Sequence, residues 1–352
     1  MTGQGRTFKR SAGIIMMMSL GLMGCGENTP TFSALADSKI FEQSGTEVNV
    51  KIDVLWVIDN SGSMQTSQEN LTNNFQSFIN DFQVQGFDFQ IGVTTTEAYR
   101  EVVSGVNGIS DLRDDSGIQI ITPATANIND VFLQNALQGT SGSGDERAFS
   151  SFTAALGNTN NASFRRDDAF LAIIIVSDED DFSHDGGNFL GGQYSDPALH
   201  TVETYVDELD TLTNSTEASR GYSVNAIAIW DETCRSDLED EFAGRLIGQR
   251  YGELVDATGG VKGDLCGSFA QSLSSIANSI IRLSTQFYLD REPIPSSIRI
   301  VIDGVSVPEA SSSSNGGWEY LAESNSVVFS GDFIPAQGSI IRVDFDPANL
   351  VN

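Results

Sequence analysis

The apolar positions of this chain recur with one pattern as far as about residue 284 and with another beyond it. Lys51–Ile58 (KIDVLWVI) is an almost continuous apolar run that stops at Asp59, as a strand buried on both faces would. Leu71, Phe75, Phe78, Ile79 and Phe82 then recur at helical spacing, a stripe that faces a core. Phe89–Thr96 predicts a second strand, and Val131–Leu137 and Phe149–Leu156 predict helical pieces around a Gly/Ser loop at 139–144. Phe170–Val176 (FLAIIIV) is the most hydrophobic run after the leader, and it too ends in acid: Ser177, Asp178, Glu179, Asp180, Asp181. A Gly-rich loop at 185–192 leads to a helix near 198–212. Tyr222–Trp230 predicts another buried strand, and Ser268–Leu283 an amphipathic helix.

Strands alternating with helices call for a mostly parallel sheet covered on both faces, the α/β doubly wound class. In such sheets ligands bind at the carboxyl ends of the strands, where both acidic clusters lie. Beyond residue 285 the pattern shortens to Gln286–Leu289, Ser297–Ile302, Trp318–Leu321, Ser326–Phe329 and Ile340–Phe345, with no helical period. Asp303-Gly304 between two of these runs is a hairpin signal. The expected organisation is a leader over 1–24, a polar tether over 25–46, an α/β domain over 47–284 and a small antiparallel β-sandwich over 285–352.

Composition narrows the function. The chain has 352 residues, 39% hydrophobic content and a formal charge of −29. Residues 1–24 hold three bases (Arg6, Lys9, Arg10) and no acid, so the remainder carries −32. A surface this acidic repels phosphate backbones and anionic headgroups, which excludes nucleic acid as a partner. The same charge attracts divalent cations, or simply keeps an exported protein soluble.

The leader has a basic n-region and an apolar stretch, Ala12–Met23, too short to span a bilayer. Leu22-Met23-Gly24-Cys25 follows, and it resembles the lipobox of bacterial lipoproteins. That resemblance implies acylation of Cys25 and contact with the membrane through the lipid anchor alone. Gly26 in place of an acid leans the sorting towards the outer membrane or cell surface. With Cys25 lipidated, Cys234 and Cys266 remain in an oxidising compartment, where a disulfide is expected; two buried free thiols are the alternative.

Asp59-Asn60-Ser61-Gly62-Ser63, after VLWVI and before Met64, resembles the DxSxS motif of the von Willebrand factor A (vWA) family. The likeness extends over about 46–284 and implies a vWA-like, Rossmann-like fold with a metal-ion-dependent adhesion site (MIDAS). The family pattern places further metal ligands at Asp178 and at a Thr-type position, which Ser143 fills, with Thr140 as the rival. A hard cation such as Mg²⁺ (or Mn²⁺ or Ca²⁺) takes oxygen ligands, and two hydroxyls with few carboxylates leave it able to accept an outside carboxylate. Asp180 and Asp181 read as a solvated acidic loop, since Phe182 stands where a calcium loop needs a ligand.

Little here suggests an enzyme. The two histidines, His184 and His200, lie in a loop, and no Gly-x-Ser-x-Gly elbow or phosphate cradle occurs. A Ser61/His184 arrangement is conceivable but has nothing else behind it, and His184 reads as a surface loop residue. The expected role is an adhesin or receptor whose metal captures an acidic side chain of a protein ligand, with the 182–200 loop and its Phe189 and Tyr194 shaping specificity. A structural or assembly subunit of an envelope complex is the alternative, and a metal-assisted hydrolase a remote one.

Overall fold

A computed structural model describes residues 37–41, 48, 50–239 and 242–348. The leader, Cys25 and most of the expected tether lie outside them. The centre is a five-stranded, wholly parallel sheet of β2 (Lys51–Ile58), β3 (Asp88–Thr95), β4 (Phe170–Val176), β5 (Tyr222–Ala228) and β6 (Lys262–Asp264), in the order β3-β2-β4-β5-β6. Strand β1 (Asp37–Phe41) belongs elsewhere.

Alternation within the apolar runs builds two cores. Val54, Trp56 and Ile58 of β2, with Ala172, Ile174 and Val176 of β4, face one side of the sheet. Leu55 and Val57, with Leu171, Ile173 and Ile175, face the other. The first face is covered by α1 (Gln65–Asn74), α2 (Gln76–Gln85), α4 (Ile128–Ala136) and α9 (Phe269–Ser284), and there Trp56 packs edge-on against Phe78 and Phe132. The second carries α5 (Ala148–Gly157), α6 (Val202–Thr213) and α8 (Gln249–Thr258). Two short helices, α3 (Arg100–Ser104) and α7 (Glu232–Glu239), complete the set. The single stripe expected over 71–82 is two helices that meet at Phe75, which caps one and starts the next.

Beyond α9 the chain forms β7 (Phe287–Tyr288), β8 (Arg299–Ile302), β9 (Val305–Val307), β10 (Gly316–Leu321), β11 (Ser326–Gly331) and β12 (Ile341–Phe345). They make two small antiparallel sheets, β1-β12-β8-β9 and β10-β11-β7. The expected hairpin is present: Asp303 and Gly304, both at positive φ, join β8 to β9. The tether assignment needs correcting at 37–41, which pairs with the whole of β12 from Asp37↔Phe345 to Phe41↔Ile341. Five residues of mixed polarity gave no periodic signal, and their strand state is set by a partner edge about 300 residues away in the chain. Ile300, Phe329 and Val343 of these sheets share one buried apolar cluster with α9, against which β11 packs.

Cys234 in α7 and Cys266 after β6 form the expected disulfide, with Cα atoms 5.7 Å apart. The 32-residue separation makes it worth roughly 3–4 kcal/mol on the chain-entropy account. Among the described residues no helix is long and apolar enough to cross a membrane.

Candidate functional site

The parallel register puts the site together. Ile58 pairs with Val176 and with Thr95, so the residues that follow β2, β3 and β4 emerge side by side at one sheet edge. Asp59 comes from the first, Thr96 and Glu97 from the second, and Ser177, Asp178 and Glu179 from the third. The Asp59 amide donates to the Val176 carbonyl at 3.0 Å, which carries the β2–β4 ladder one residue into the turn.

Four of the expected ligands meet there. Asp59 is fully buried; one carboxylate oxygen accepts the Ser61 amide at 2.7 Å and the other the Ser177 hydroxyl at 2.7 Å. Ser61 and Ser63 have their hydroxyls 3.3 Å apart, and Ser63 donates to Asp178 Oδ1 at 2.9 Å. Each carboxylate oxygen has a lone pair to spare after these bonds, so the set still offers a cation oxygens. Asp178 departs from a free ligand in one respect. Its Oδ2 accepts Arg245 Nε at 2.9 Å in a buried ion pair, while Arg245 also donates to the carbonyls of Leu238 and Phe242.

The Gly/Ser loop is held against this turn. Gly142 donates to the Asn60 carbonyl at 2.8 Å, and a Cβ there would come within 2.6 Å of that oxygen, so position 142 requires glycine. Glu97 ties the two segments by accepting from the Asn60 amide group and from the Ser143 backbone. Gln68 spans them as well, donating to the carbonyls of Asp59 and Gly139. The Ser143 hydroxyl accepts from the Asp145 amide at 3.1 Å, a turn bond within its own loop. No hydrogen bond from Ser143 or Thr140 to Asp59, Ser61, Ser63 or Asp178 is found among the described residues. The loop is thus beside the site, with neither proposed Thr-type ligand joined to it.

Electrostatics mark the same place. Burial pushes Asp59 up to about 7, and the neighbouring Asp178 pushes in the same direction. Burial raises Asp178 too, opposed by Arg245 and Ser63. Glu179 is pushed up to about 9, first by burial and then by Asp59 and Asp178. Glu146, next to Asp145 at the end of the Gly/Ser loop, is raised well above the carboxylate range by burial, with Asp59 next in weight. Charge crowding of this kind at a sheet edge is what a bound cation relieves. The sequence reading did not single out Glu146, Glu179 or Arg245. Glu179 sits inside the acidic run after β4, which was the available signal; nothing local marks the other two.

Two expectations for the neighbouring loop are corrected. Asp180 and Asp181 are buried rather than solvated: Asp180 accepts the Arg250 and Tyr251 amides at the start of α8, and Asp181 accepts the Phe149 amide in the first turn of α5 and pairs with Arg250. They cap helices. His184 is likewise buried, its ring nitrogens on the carbonyls of Phe182 and Asn188, so it is neither a surface residue nor a partner of Ser61. Phe189 and Tyr194 are exposed, as expected. A Cys234–Asp264–Cys266 cluster elsewhere has close donor atoms, but its sulfurs are joined as the disulfide and it is separate from this site.

No family model and no curated protein matches the chain. Among solved structures it is similar to the pilus adhesin SpaC from Lactobacillus rhamnosus GG in an open conformation, at 13% identity and TM-score 0.38, over 86% of this chain and 39% of that one. A second SpaC form gives 13% and 0.39 over 88% and 42%. Proximal thread matrix protein 1 from the mussel byssus gives 11% and 0.35 over 70% and 51%. The chain spans between about two fifths and half the length of these structures.

Proposed function

We propose that this protein is a vWA-like cell-envelope lipoprotein that binds a protein ligand through a divalent cation, Mg²⁺ or a similar ion, at a MIDAS-type site. The observation that supports this reading is the pairing of two buried carboxylates, Asp59 and Asp178, at the ends of adjacent parallel strands, joined through the Ser61 amide and the Ser61 and Ser63 hydroxyls. Asp59 supplies charge, the two serines neutral oxygens, and Asp178 a further oxygen direct or through water. A cation so held keeps positions for water, and an acidic side chain of another protein replaces that water. The ion supplies the positive charge that a chain carrying 48 acids and 19 bases lacks for this purpose. The half-exposed Phe242 beside Gly62 offers apolar contact next to the cation. The proposed role is binding and not catalysis.

Titration calorimetry of wild type and Asp59→Ala with Mg²⁺, Mn²⁺ and Ca²⁺ tests the site. Wild type is expected to bind one ion. Asp59→Ala, which removes a full charge next to it, is expected to lose binding at millimolar metal, whereas Ser63→Ala, which removes a neutral oxygen, weakens it less. Absence of binding by wild type, or equal binding by the two proteins, would refute the proposal. The anchor is tested separately: Cys25→Ser should abolish lipid labelling and detergent partitioning, and an unchanged membrane fraction would remove the lipoprotein assignment.

A further inference from the structure

Resting on that cation site, we infer that its last anionic group is Glu146 rather than a hydroxyl at 143 or 140, and that a bound divalent cation, directly or through its own water, is what Glu146 faces. Glu146 stands between the Gly/Ser loop and α5, and is 1% exposed. Neither of its carboxylate oxygens meets a donor at full hydrogen-bonding geometry, though the Thr96 hydroxyl acts on it, and its backbone carbonyl is used by the Phe182 amide. Buried carboxylates are otherwise well served in this protein, as Asp53, Asp180 and Asp181 show. A buried acid with no well-placed donor on either oxygen is therefore an exception that calls for a partner.

Its surroundings specify what kind. The charges that act on Glu146 are those of Asp59, Glu179 and Asp178, all acidic and all at the proposed site. The basic side chains nearby are committed. Arg147 binds Asp145 and the carbonyls of His184 and Gly186; Arg245 binds Asp178; Arg250 binds Asp181 and the His200 carbonyl. Four carboxylates thus act on one another with one guanidinium among them, although no three bring ligand oxygens within 4.8 Å of one another, which leaves room for a cation that keeps its own water. Further buried polar atoms there lack a partner at full bonding geometry: the Thr96 hydroxyl, which acts on Glu146, the Asn60 side-chain oxygen, and the Tyr251 hydroxyl, on which Glu146 and Asp59 act. A hydrated divalent ion matches this inventory. Its coordinated waters donate hydrogen bonds, which suits carboxylate oxygens short of donors, and its charge offsets the acids. Loop geometry agrees: the Gly142–Asn60 bond fixes the loop so that Ser143 turns to its own backbone while Glu146 is carried inward.

The experiment compares Glu146→Gln with Ser143→Ala and Thr140→Ala in the full chain, using calorimetry with Mg²⁺ and Mn²⁺ and thermal melts with and without chelator. Gln keeps the shape of Glu and removes the charge. Glu146→Gln is expected to lower cation affinity at least tenfold and to raise the melting temperature of the chelated protein. The two alanine variants are expected to stay within about threefold of wild type. Wild-type affinity in Glu146→Gln, or a tenfold loss in either alanine variant, overturns the inference while leaving the Asp59 site standing. Absence of cation binding by wild type would overturn both. Unfolding of Glu146→Gln in chelator would also count against it, since that result assigns the carboxylate to the fold itself.

Discussion

Replacing Arg166 with Met is expected to destabilise the protein by about 3–5 kcal/mol, measured by urea unfolding near neutral pH. Asp53 lies in the middle of β2 with no exposure to solvent, an acid inside a strand that is otherwise core. Arg166 makes that placement tolerable: its Nε donates to Asp53 Oδ1 at 2.8 Å and its backbone amide to Oδ2 at 2.6 Å. The same guanidinium reaches the carbonyls of Ile52 and Asp88 and pairs with the Asp88 side chain at 2.8 Å, stitching the start of β2 to β3. Even so, burial dominates and pushes Asp53 up to about 6. Met leaves one backbone donor to the buried carboxylate, and the loss is chiefly the penalty of an uncompensated buried charge. The double variant Asp53→Ala/Arg166→Met should therefore lose less than Arg166→Met alone. The deficit of Arg166→Met should also shrink as pH falls towards about 6, because without the guanidinium Asp53 takes up its proton at a higher pH than in wild type, and below about 6 both proteins hold it neutral. A loss under about 1 kcal/mol, or one independent of pH, would show that the strand does not depend on this pair.

The elements legible in the sequence are those whose physical constraint is local. β2 and β4 could be read because a strand buried on both faces has to be apolar nearly throughout, and KIDVLWVI and FLAIIIV are. Asp59 and Asp178 could be picked out because each ends such a run, and the parallel sheet brings such ends together. What was not legible depends on partners far away in the chain. Arg166 lies 113 residues from Asp53, and no periodicity announces that one completes the other. Glu146 sits among Gly, Ser and Asp in a stretch with the composition of a solvated turn, and its burial is a consequence of where Gly142 docks. Arg245 lies 67 residues from the aspartate it covers. Asp180 and Asp181 misled for a related reason. An acidic run after a strand looks like a ligand cluster or a wet loop, whereas two helix N-termini, which sequence alone does not bring near, absorb both charges.

Replacing Asp59 with Asn is expected to make the protein more stable than wild type in chelator at about pH 8 and less stable than wild type in saturating Mg²⁺. Asp59 has a folded-state pKa raised to about 7 from an ordinary value near 4. For an acid displaced that way, the folded state binds more protons between those two values. Its contribution to stability is thus fully present below about pH 4 and is lost as pH rises through about 7; Glu179 continues the loss towards about 9. In chelator, Asn at position 59 removes that penalty, so the melting temperature of Asp59→Asn minus that of wild type should become more positive from about pH 5 to pH 8. The full difference is on the order of a few kcal/mol, since a tenfold change in proton affinity corresponds to about 1.4 kcal/mol. A cation reverses the comparison. It binds the ionised native site and not the unfolded chain, so wild type gains about 2.7 kcal/mol at a metal concentration roughly one hundred times its dissociation constant and about 4.1 kcal/mol at roughly one thousand times, beyond which the gain exceeds the ionisation penalty. The variant, lacking the charge, gains little. Saturating Mg²⁺ at about pH 8 should therefore make wild type the more stable protein, and chelator should make it the less stable one. Paired melts across this pH range, with and without Mg²⁺, read out both halves. A difference that is flat with pH in chelator would mean that Asp59 is not held against its own ionisation, and an unchanged order in Mg²⁺ would mean that no cation relieves it.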